Sequence, residues 1–140
     1  MRRRRWYRSP AEFASVADAI VDDCRRLDLG CYFGVLPRPV DQVGTDESIT
    51  LGRAVWADID DKDTGGRRES WRLASSVEPA PSAIVVSGGG LHLYYFLDKP
   101  EAAKDIRHAN ALLWPMCGGD RSVVNVWRIM RLPGSWHCKG

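Results

Sequence analysis

The strongest constraint on the fold is a run of three glycines between two β-prone segments. Ala83–Ser87 and Leu91–Leu97 are rich in β-branched, aromatic and aliphatic residues, and Gly88-Gly89-Gly90 separates them. Glycine tolerates the positive φ angles that tight turns require, so this pattern predicts an antiparallel hairpin. A fold for this chain must therefore contain a sheet in which these two strands are neighbours.

Helical and strand patterns surround the hairpin. The segment Ser9-Pro10-Ala11-Glu12 predicts a helix start, because it combines a hydroxyl cap, a proline at the first helical position and a capping-box glutamate. Apolar residues then recur at helical spacing until Gly30. The other predicted elements are helices over 67–77 and 100–114, strands over 31–36, 53–60 and 123–132, and loops over 38–52 and 61–66. Strands separated by helices, with one tight hairpin, predict a mixed α+β fold.

Composition excludes several classes of protein. With 140 residues, of which 44% are hydrophobic, the chain has room for one packed domain. Its apolar runs are much shorter than the roughly 20 residues that a membrane helix needs. The four cysteines form no CxxC pair, so buried or free thiols are expected, and a zinc site that uses some of them with His137 is the alternative. We expect a soluble, cytoplasmic protein.

The basic residues are concentrated at the N-terminus. Five of the 20 basic residues occupy the first eight positions, which leaves 15 basic against 18 acidic residues in the rest of the chain. We therefore divide the chain into a basic arm, residues 1–9, and a single domain, residues 10–140. A basic arm suits contact with a nucleic-acid backbone, and a solvated tail is the alternative. The predicted DNA-binding residues are Arg2, Arg3, Arg4, Arg5 and Arg8.

Two carboxylates end a predicted strand. In Trp56-Ala57-Asp58-Ile59-Asp60 the period of two places Asp58 and Asp60 on one face, roughly 6.5–7 Å apart at their backbones. Side chains at that spacing can converge on divalent cations, for which oxygen ligands are preferred. The alternative is a solvated strand end, and the D-x-D pattern also occurs in sugar-nucleotide transferases.

The glycine turn itself carries groups that suit phosphate. Backbone N–H groups of the turn, near Gly89, can face an anion, and Ser87 adds a hydroxyl. His92, at the start of the next strand, can donate to an anionic oxygen. A tight hairpin that carries a surface histidine remains the alternative for this segment.

Basic residues near the C-terminus complete the candidate set. Arg131 lies within an apolar segment, where an unpaired guanidinium would be costly, so it needs an anionic partner. That partner is either a triphosphate or a carboxylate such as Asp120. Lys139 follows the Pro133-Gly134 turn and could also reach phosphate.

In this order, the segments resemble the archaeo-eukaryotic primase superfamily, in particular its plasmid and phage branch of RepB-like primases and prim-pol domains. Its first motif is a hydrophobic strand that ends in D-x-D and is similar to Trp56–Asp60. Its second, a Ser/Gly-rich turn that leads to histidine, is similar to Ser87–Tyr94. Asp120 is similar to the third, an acidic ligand. The segment Arg131–Lys139 resembles the R-x-P-G-(S/T)-x-N-x-K stretch of the phage branch, with His137 where asparagine is usual.

The resemblance implies a primase or prim-pol core, with an RRM-like antiparallel sheet flanked by helices. It implies that Asp58, Asp60 and Asp120 are catalytic and hold Mg²⁺ or Mn²⁺. It also implies a nucleotide site made by Ser87, Gly89, His92, Arg131 and Lys139. If Asp120 lies away from the site, Asn125 would be a poor substitute.

The function that the resemblance implies is a DNA primase or polymerase in plasmid or phage replication. Its partners would be nucleoside triphosphates, a single-stranded DNA template and a replicative helicase. Relatives usually continue beyond the position of Lys139, so a C-terminally truncated, non-catalytic nucleotide- or DNA-binding module is the alternative. A rolling-circle nickase is disfavoured, because it needs a His-hydrophobic-His pair and only His92 occupies such a position.

Overall fold

The structure is a computed structural model that describes residues 5–38 and 45–136. Over these residues the strands are β1 (Tyr32–Gly34), β2 (Leu51–Asp60), β3 (Ala83–Val86), β4 (Gly90–Ala102) and β5 (Ile129–Arg131). The α-helices are α1 (Pro10–Ala14), α2 (Ala17–Arg26), α3 (Asp61–Thr64), α4 (Arg67–Ser76) and α5 (Ala103–Met116), and 3₁₀ turns span Asp46–Ser48 and Arg121–Val124. The fold is α+β, as the sequence predicts.

Two antiparallel sheets organise the chain. The larger has the strand order β2-β4-β3, and the smaller is the ribbon of β1 and β5. The predicted hairpin is confirmed: the Ser87 N–H donates to the Gly90 carbonyl at 2.9 Å, and Gly88 has a φ of +87°. Gly90 is required, since a Cβ at this position would clash with the carbonyl oxygen of Ile59 on β2.

Strand β2 lies at the centre of the packing, although it is an edge strand of its sheet. Helix α5 covers its free edge, where the buried Asn110 side chain accepts a hydrogen bond from the Trp56 N–H at 2.9 Å. The fully buried Trp56 indole donates to the Val123 carbonyl, also at 2.9 Å. The largest buried apolar side chains around this strand are Trp56, Leu36, Ile59, Leu91, Leu93 and Ile106. An edge strand satisfied in this way can carry an apolar sequence without exposing a free edge.

The N-terminal helix differs from the prediction. Ser9 caps α1 as predicted, by accepting from the Glu12 N–H at 3.1 Å, but the Glu12 carboxylate accepts from the Arg8 N–H. The helix then breaks at Ser15 and Val16 before α2 begins. The apolar spacing continues across this break, which is why periodicity alone predicts one helix.

The strand predicted over 123–132 is confirmed only over its last part. Residues 121–124 form a 3₁₀ turn capped by Asp120, and only residues 129–131 are extended. Val123 and Val126 are both buried, and their spacing of three belongs to a turn rather than to a strand. Valine-rich composition alone does not separate these two cases.

Several boundaries of helices and strands also differ from the sequence prediction. Strand β4 continues to Ala102, because Glu101 and Ala102 pair with the first residues of β2, and helix α5 therefore starts at residue 103 instead of 100. The predicted loop over 61–66 begins with the short helix α3, and β2 begins at Leu51.

The cysteines in the described residues are free. Cys24, Cys31 and Cys117 form no disulfide among themselves, as expected. Cys138 and His137, which the zinc alternative invokes, lie outside the described residues. No helix within residues 5–38 and 45–136 is long and apolar enough to cross a membrane.

We predict that Asn110→Ala lowers the free energy of unfolding by about 1 to 3 kcal/mol, because the buried Trp56 N–H would lose its acceptor. Urea denaturation measures the change. Leu112→Ala on the same helix is the matched control, since Leu112 is largely exposed, and it should shift the free energy by less than about 0.5 kcal/mol. Equal effects of the two substitutions would contradict this role of Asn110.

Candidate active site

The register of β2 and β4 brings the first two motifs together. Asp58 is paired with His92, and Asp60 with Gly90, at the end of the sheet where the glycine turn lies. His92 Nε2 and Asp58 Oδ1 are 3.8 Å apart. The antiparallel pairing thus places the carboxylates of one motif beside the histidine of the other.

A glycine-containing loop brings in the third motif. The Asp120 N–H donates to the Asp58 carbonyl at 2.8 Å. This approach requires Gly119, because a Cβ there would lie 2.8 Å from the same carbonyl oxygen, and Gly118 has a φ of +63°. The Asp120 carboxylate also caps the following turn, since it accepts from the Ser122 N–H at 2.7 Å and from the Ser122 hydroxyl.

These groups surround one cavity of about 180 Å³. It is lined by residues of β1, β2, the glycine turn, β4, the 3₁₀ turn and β5. They are Tyr32, Asp58, Asp60, Ser87, Gly89, His92, Asp120, Val123, Arg128, Ile129, Met130 and Arg131.

The carboxylates repel one another across this cavity. Burial, together with the charges of Asp60 and Asp120, raises the pKa of Asp58 to about 7, although the charges of Arg128 and Lys62 act in the opposite direction. Asp60 pairs with Lys62 at 3.2 Å. For Asp120, burial opposes ionisation, but its hydrogen bonds from Ser122 and the charge of Arg128 hold its pKa below the usual value. The cluster therefore carries negative charge that its basic neighbours only partly neutralise.

His92 is neutral near pH 7. Burial, together with the positive charge of Arg131, lowers its pKa to about 4. The Tyr94 hydroxyl lies 3.4 Å from His92 Nδ1, and burial, with the nearby charge of Asp58, raises the pKa of Tyr94. A protonated hydroxyl can donate to Nδ1, which leaves the proton of the imidazole on Nε2, facing Asp58 and the cavity. His92 is thus suited to donate a hydrogen bond to an anion.

Two arginines supply the opposite charge. Arg128 Nη2 donates to the Ser122 hydroxyl at 3.3 Å, whereas its Nε is buried with no partner in the described part of the chain. Arg131 donates to the Trp136 carbonyl at 3.0 Å and lies over the Tyr32 ring, 5.3 Å from its centroid. Neither guanidinium forms an ion pair within the described residues, so Asp120 is not the salt-bridge partner of Arg131. Both are available to an anionic ligand.

The structure brings together most of the residues singled out from the sequence. Asp58, Asp60, Asp120, Ser87, Gly89, His92 and Arg131 all line the cavity. Arg5 and Arg8 are described and do not line it, whereas Arg2, Arg3, Arg4 and Lys139 lie outside the described residues.

Sequence reasoning missed Arg128 and did not assign a role to Tyr32. Strict alternation along a continuous strand places Arg128 and Arg131 on opposite faces, but residue 128 precedes β5, so both reach the cavity. Their separation of three residues, the spacing of a turn, was the available signal. Tyr94 and Tyr95, which follow His92 on β4, do not line the cavity.

The donor set suits a hard divalent cation. Asp58, Asp60 and Asp120 offer carboxylate oxygens, and a bound cation would oppose the rise in the pKa of Asp58 that burial and the two neighbouring carboxylates cause. Across residues 5–38 and 45–136, however, no three His, Cys, Asp or Glu side chains are arranged as a ready ligand set. The three carboxylates are thus near enough for the charge of one to affect the others. Their oxygens are not arranged as a complete set of metal ligands.

Comparison with known proteins gives one solved structure. The chain is similar to the AEP domain of the cyanophage S-2L primase-polymerase, with a TM-score of 0.68 and 26% sequence identity. The similarity covers 86% of this chain and 62% of that chain, so this chain spans less than two thirds of its length. No protein-family model and no curated protein sequence matches the chain.

We predict that Asp58→Asn raises the free energy of unfolding at pH 7.5, in metal-free buffer, by about 1 to 3 kcal/mol. In the folded protein the pKa of Asp58 is about 7, whereas the ordinary pKa of an aspartate is 3.8. Between these values the folded state binds more protons than the unfolded state, so the contribution of Asp58 falls as the pH rises. The gain should therefore disappear near pH 4.

The contribution of His92 to stability depends on pH in the opposite direction, because its pKa of about 4 lies below the ordinary value of 6.5. The stability of the Asp58→Asn variant should therefore rise between pH 4 and 6.5. Urea denaturation across this range measures both trends, and Asp98→Asn on the exposed part of β4 is the control. A gain at pH 7.5 that persists unchanged at pH 4 would refute the assignment to Asp58.

Proposed function

The chain belongs by fold to the archaeo-eukaryotic primase superfamily, and we propose that its cavity forms phosphodiester bonds from nucleoside triphosphates on a DNA template. The observation that carries the proposal is the convergence of Asp58, Asp60 and Asp120 with Arg128 and Arg131 around one cavity beside the glycine turn. Negative charge on one side and unpaired guanidinium groups on the other suit a ligand that combines phosphates with divalent cations.

The basic side of the cavity would bind the triphosphate. Arg128 and Arg131 line the cavity, and no carboxylate of the described residues forms an ion pair with either guanidinium group. Their charge-assisted hydrogen bonds to phosphate would be stronger than neutral ones. Neutral His92 would donate from Nε2 to a phosphate oxygen, while Ser87 and the N–H groups near Gly89 contribute from the turn. Lys139 is proposed to add a further positive charge.

The acidic side would hold Mg²⁺ or Mn²⁺ through Asp58, Asp60 and Asp120. Bound divalent cations supply Lewis-acid activation of an attacking 3′-hydroxyl and neutralise charge on a pyrophosphate leaving group. Asp58 must lose its proton to act as a ligand, and its pKa of about 7 makes cation affinity rise as the pH passes through neutrality. Lys62, paired with Asp60, would compete weakly for the same carboxylate.

The wider setting that we propose is replication of phage or plasmid DNA in a bacterial cytoplasm. The cyanophage source of the similar domain supports it. Single-stranded DNA would be the template, and the arginines of residues 1–9 would contact its backbone. A replicative helicase as partner rests on the sequence resemblance alone.

A second candidate is a non-catalytic module of the same ancestry that binds nucleotide or DNA. The hydrogen bonds from Ser122 to both oxygens of the Asp120 carboxylate favour it, because they hold this carboxylate as a turn cap. Such a module would bind triphosphate through Arg128, Arg131 and His92 without forming product.

We predict that Asp58→Ala/Asp60→Ala abolishes the extension of a primed single-stranded DNA with Mn²⁺ or Mg²⁺. The loss should be at least about 100-fold, since even groups that only support metal ligands are worth 10- to 100-fold. Incorporation of labelled NTPs and dNTPs, with and without a primer, measures the activity. Asp98→Ala, which removes an exposed carboxylate, is the control and should keep full activity. Triphosphate binding by the wild type without any product would favour the second candidate.

We predict that Arg128→Ala weakens triphosphate binding by about 10- to 100-fold, because it removes a charge-assisted contact in a partly buried site. Isothermal titration with a non-hydrolysable triphosphate measures the affinity. Arg121→Ala is the matched control, since Arg121 is exposed nearby and does not line the cavity. If both variants lose affinity equally, the effect comes from general positive charge and Arg128 has no specific role.

A further inference from the structure

A continuous stripe of aromatic and basic side chains leads away from the cavity. We call it the aromatic–arginine stripe, and it consists of the aromatic Tyr32 and Trp136, the basic Arg131 and Arg25, and the exposed aliphatic Ile129. Its first three members lie on the ribbon of β1 and β5, where Tyr32 is paired with Arg131 and Gly34 with Ile129. All three also line the cavity that contains the carboxylates.

Direct contacts connect the two aromatic and the two basic members of the stripe. The Arg131 guanidinium lies over the Tyr32 ring, 5.3 Å from its centroid, and donates to the Trp136 carbonyl at 3.0 Å. The guanidinium of Arg25 on α2 lies over the Trp136 ring, 4.7 Å from its centroid. The stripe thus runs from the mouth of the cavity to α2 and alternates between apolar and cationic groups.

The apolar members of the stripe are exposed for a structural reason. In the ribbon, Phe33 and Met130 point into the core, so their neighbours Tyr32 and Ile129 point outward and are 50% and 48% exposed. Trp136 is 56% exposed. A contiguous exposed patch of large apolar side chains on a small domain usually marks a binding surface.

The charge of the stripe identifies the kind of ligand. Arg25 and Arg131 form no ion pair within the described residues, whereas Arg26, the neighbour of Arg25, pairs with Asp23 at 2.9 Å. Aromatic rings that alternate with unpaired arginines match the chemistry of single-stranded nucleic acid, in which bases stack on rings and phosphates meet guanidinium groups.

We propose that the aromatic–arginine stripe binds single-stranded DNA and guides the template strand into the carboxylate cavity. This proposal rests on the proposed function, because it assigns the stripe to the substrate of the same cavity. Bases stack on Trp136 and Tyr32, phosphates contact Arg25, and the strand reaches the carboxylates past Ile129.

The test compares two double variants of the full chain by fluorescence anisotropy with a labelled oligothymidylate of about 15 nucleotides. Arg25→Ala/Trp136→Ala changes the end of the stripe that does not line the cavity. It should lower affinity at least about tenfold, since stacking of one base and one phosphate contact are both lost. Trp136→Phe should retain most of the affinity, because an aromatic face remains. The single change Arg25→Ala should reduce the slope of log K against log salt concentration by about 0.7.

Arg68→Ala/Trp71→Ala is the matched control, since it removes the same residue types from α4, where Trp71 is 40% exposed. Its affinity for the oligonucleotide should be unchanged. Equal losses in the two double variants, or no binding by the wild type, would overturn the proposal. A dimer in sedimentation velocity that Arg25→Ala/Trp136→Ala dissociates would also overturn it, because a second copy would then cover the stripe.

Failure of this proposal and failure of the proposed function give different results. Oligonucleotide binding that depends on the stripe, in a protein that forms no product with any triphosphate, would support the stripe while the catalytic assignment fails. Product formation that requires Asp58 and Asp60, in a protein whose affinity for oligonucleotide does not change in Arg25→Ala/Trp136→Ala, would overturn the stripe alone. Titration with a non-hydrolysable triphosphate should be unaffected by the stripe variant, which checks that its cavity is intact.

Discussion

The site depends on the hydrogen bond from the Asp120 N–H to the Asp58 carbonyl. This contact joins a loop that follows α5 to the end of β2, and so brings together carboxylates 62 positions apart in the chain. Two further features make the contact possible. Gly119 has no side chain to hold the loop away from the strand, and the Trp56 indole fixes the next turn through the Val123 carbonyl. The buried side of β2 thus supports the geometry of its polar end.

The same arrangement sets the electrostatics. Because Trp56 and Ile59 pack the end of β2 into the core, Asp58 is only 22% exposed at its side chain, and its ionised form is poorly solvated. Asp60 and Asp120 increase the cost of a charge at Asp58, which raises its pKa to about 7. Burial favours the neutral form of His92 as well, and for this basic group the result is a lowered pKa. A cluster that destabilises its own charges is typical of functional sites, where a ligand supplies the missing neutralisation.

Arg131 connects the cavity and the exposed stripe. Its guanidinium is held by the Tyr32 ring and the Trp136 carbonyl, so it lies at the boundary between the two surfaces. The short ribbon of β1 and β5 is responsible, because its alternation buries Met130 and turns Arg131 toward the opening. Three residues of each strand are enough to orient both surfaces.

Local sequence was sufficient to predict the hairpin, the D-x-D strand and the helix cap at Ser9. Each of these depends on residues close together in the chain: glycines with positive φ, alternation with a period of two, and a hydroxyl near the next N–H groups. Local patterns and the resemblance to the primase superfamily together singled out seven of the residues that line the cavity, among them Asp58, His92 and Arg131. The strand prediction was wrong for the first part of 123–132, where Val123 and Val126 are buried and the valine-rich segment forms a turn.

Tertiary structure alone decided which of these residues meet. The register of β2 against β4 places His92 beside Asp58, and no local pattern specifies that pairing. Arg128 reaches the cavity only because the chain turns before β5, and Tyr32 reaches it only because β1 pairs with β5. The sequence by itself therefore determined the chemical groups and their local conformations. Long-range pairing and burial determined their neighbours and their pKa values, because those depend on contacts between residues far apart in the chain.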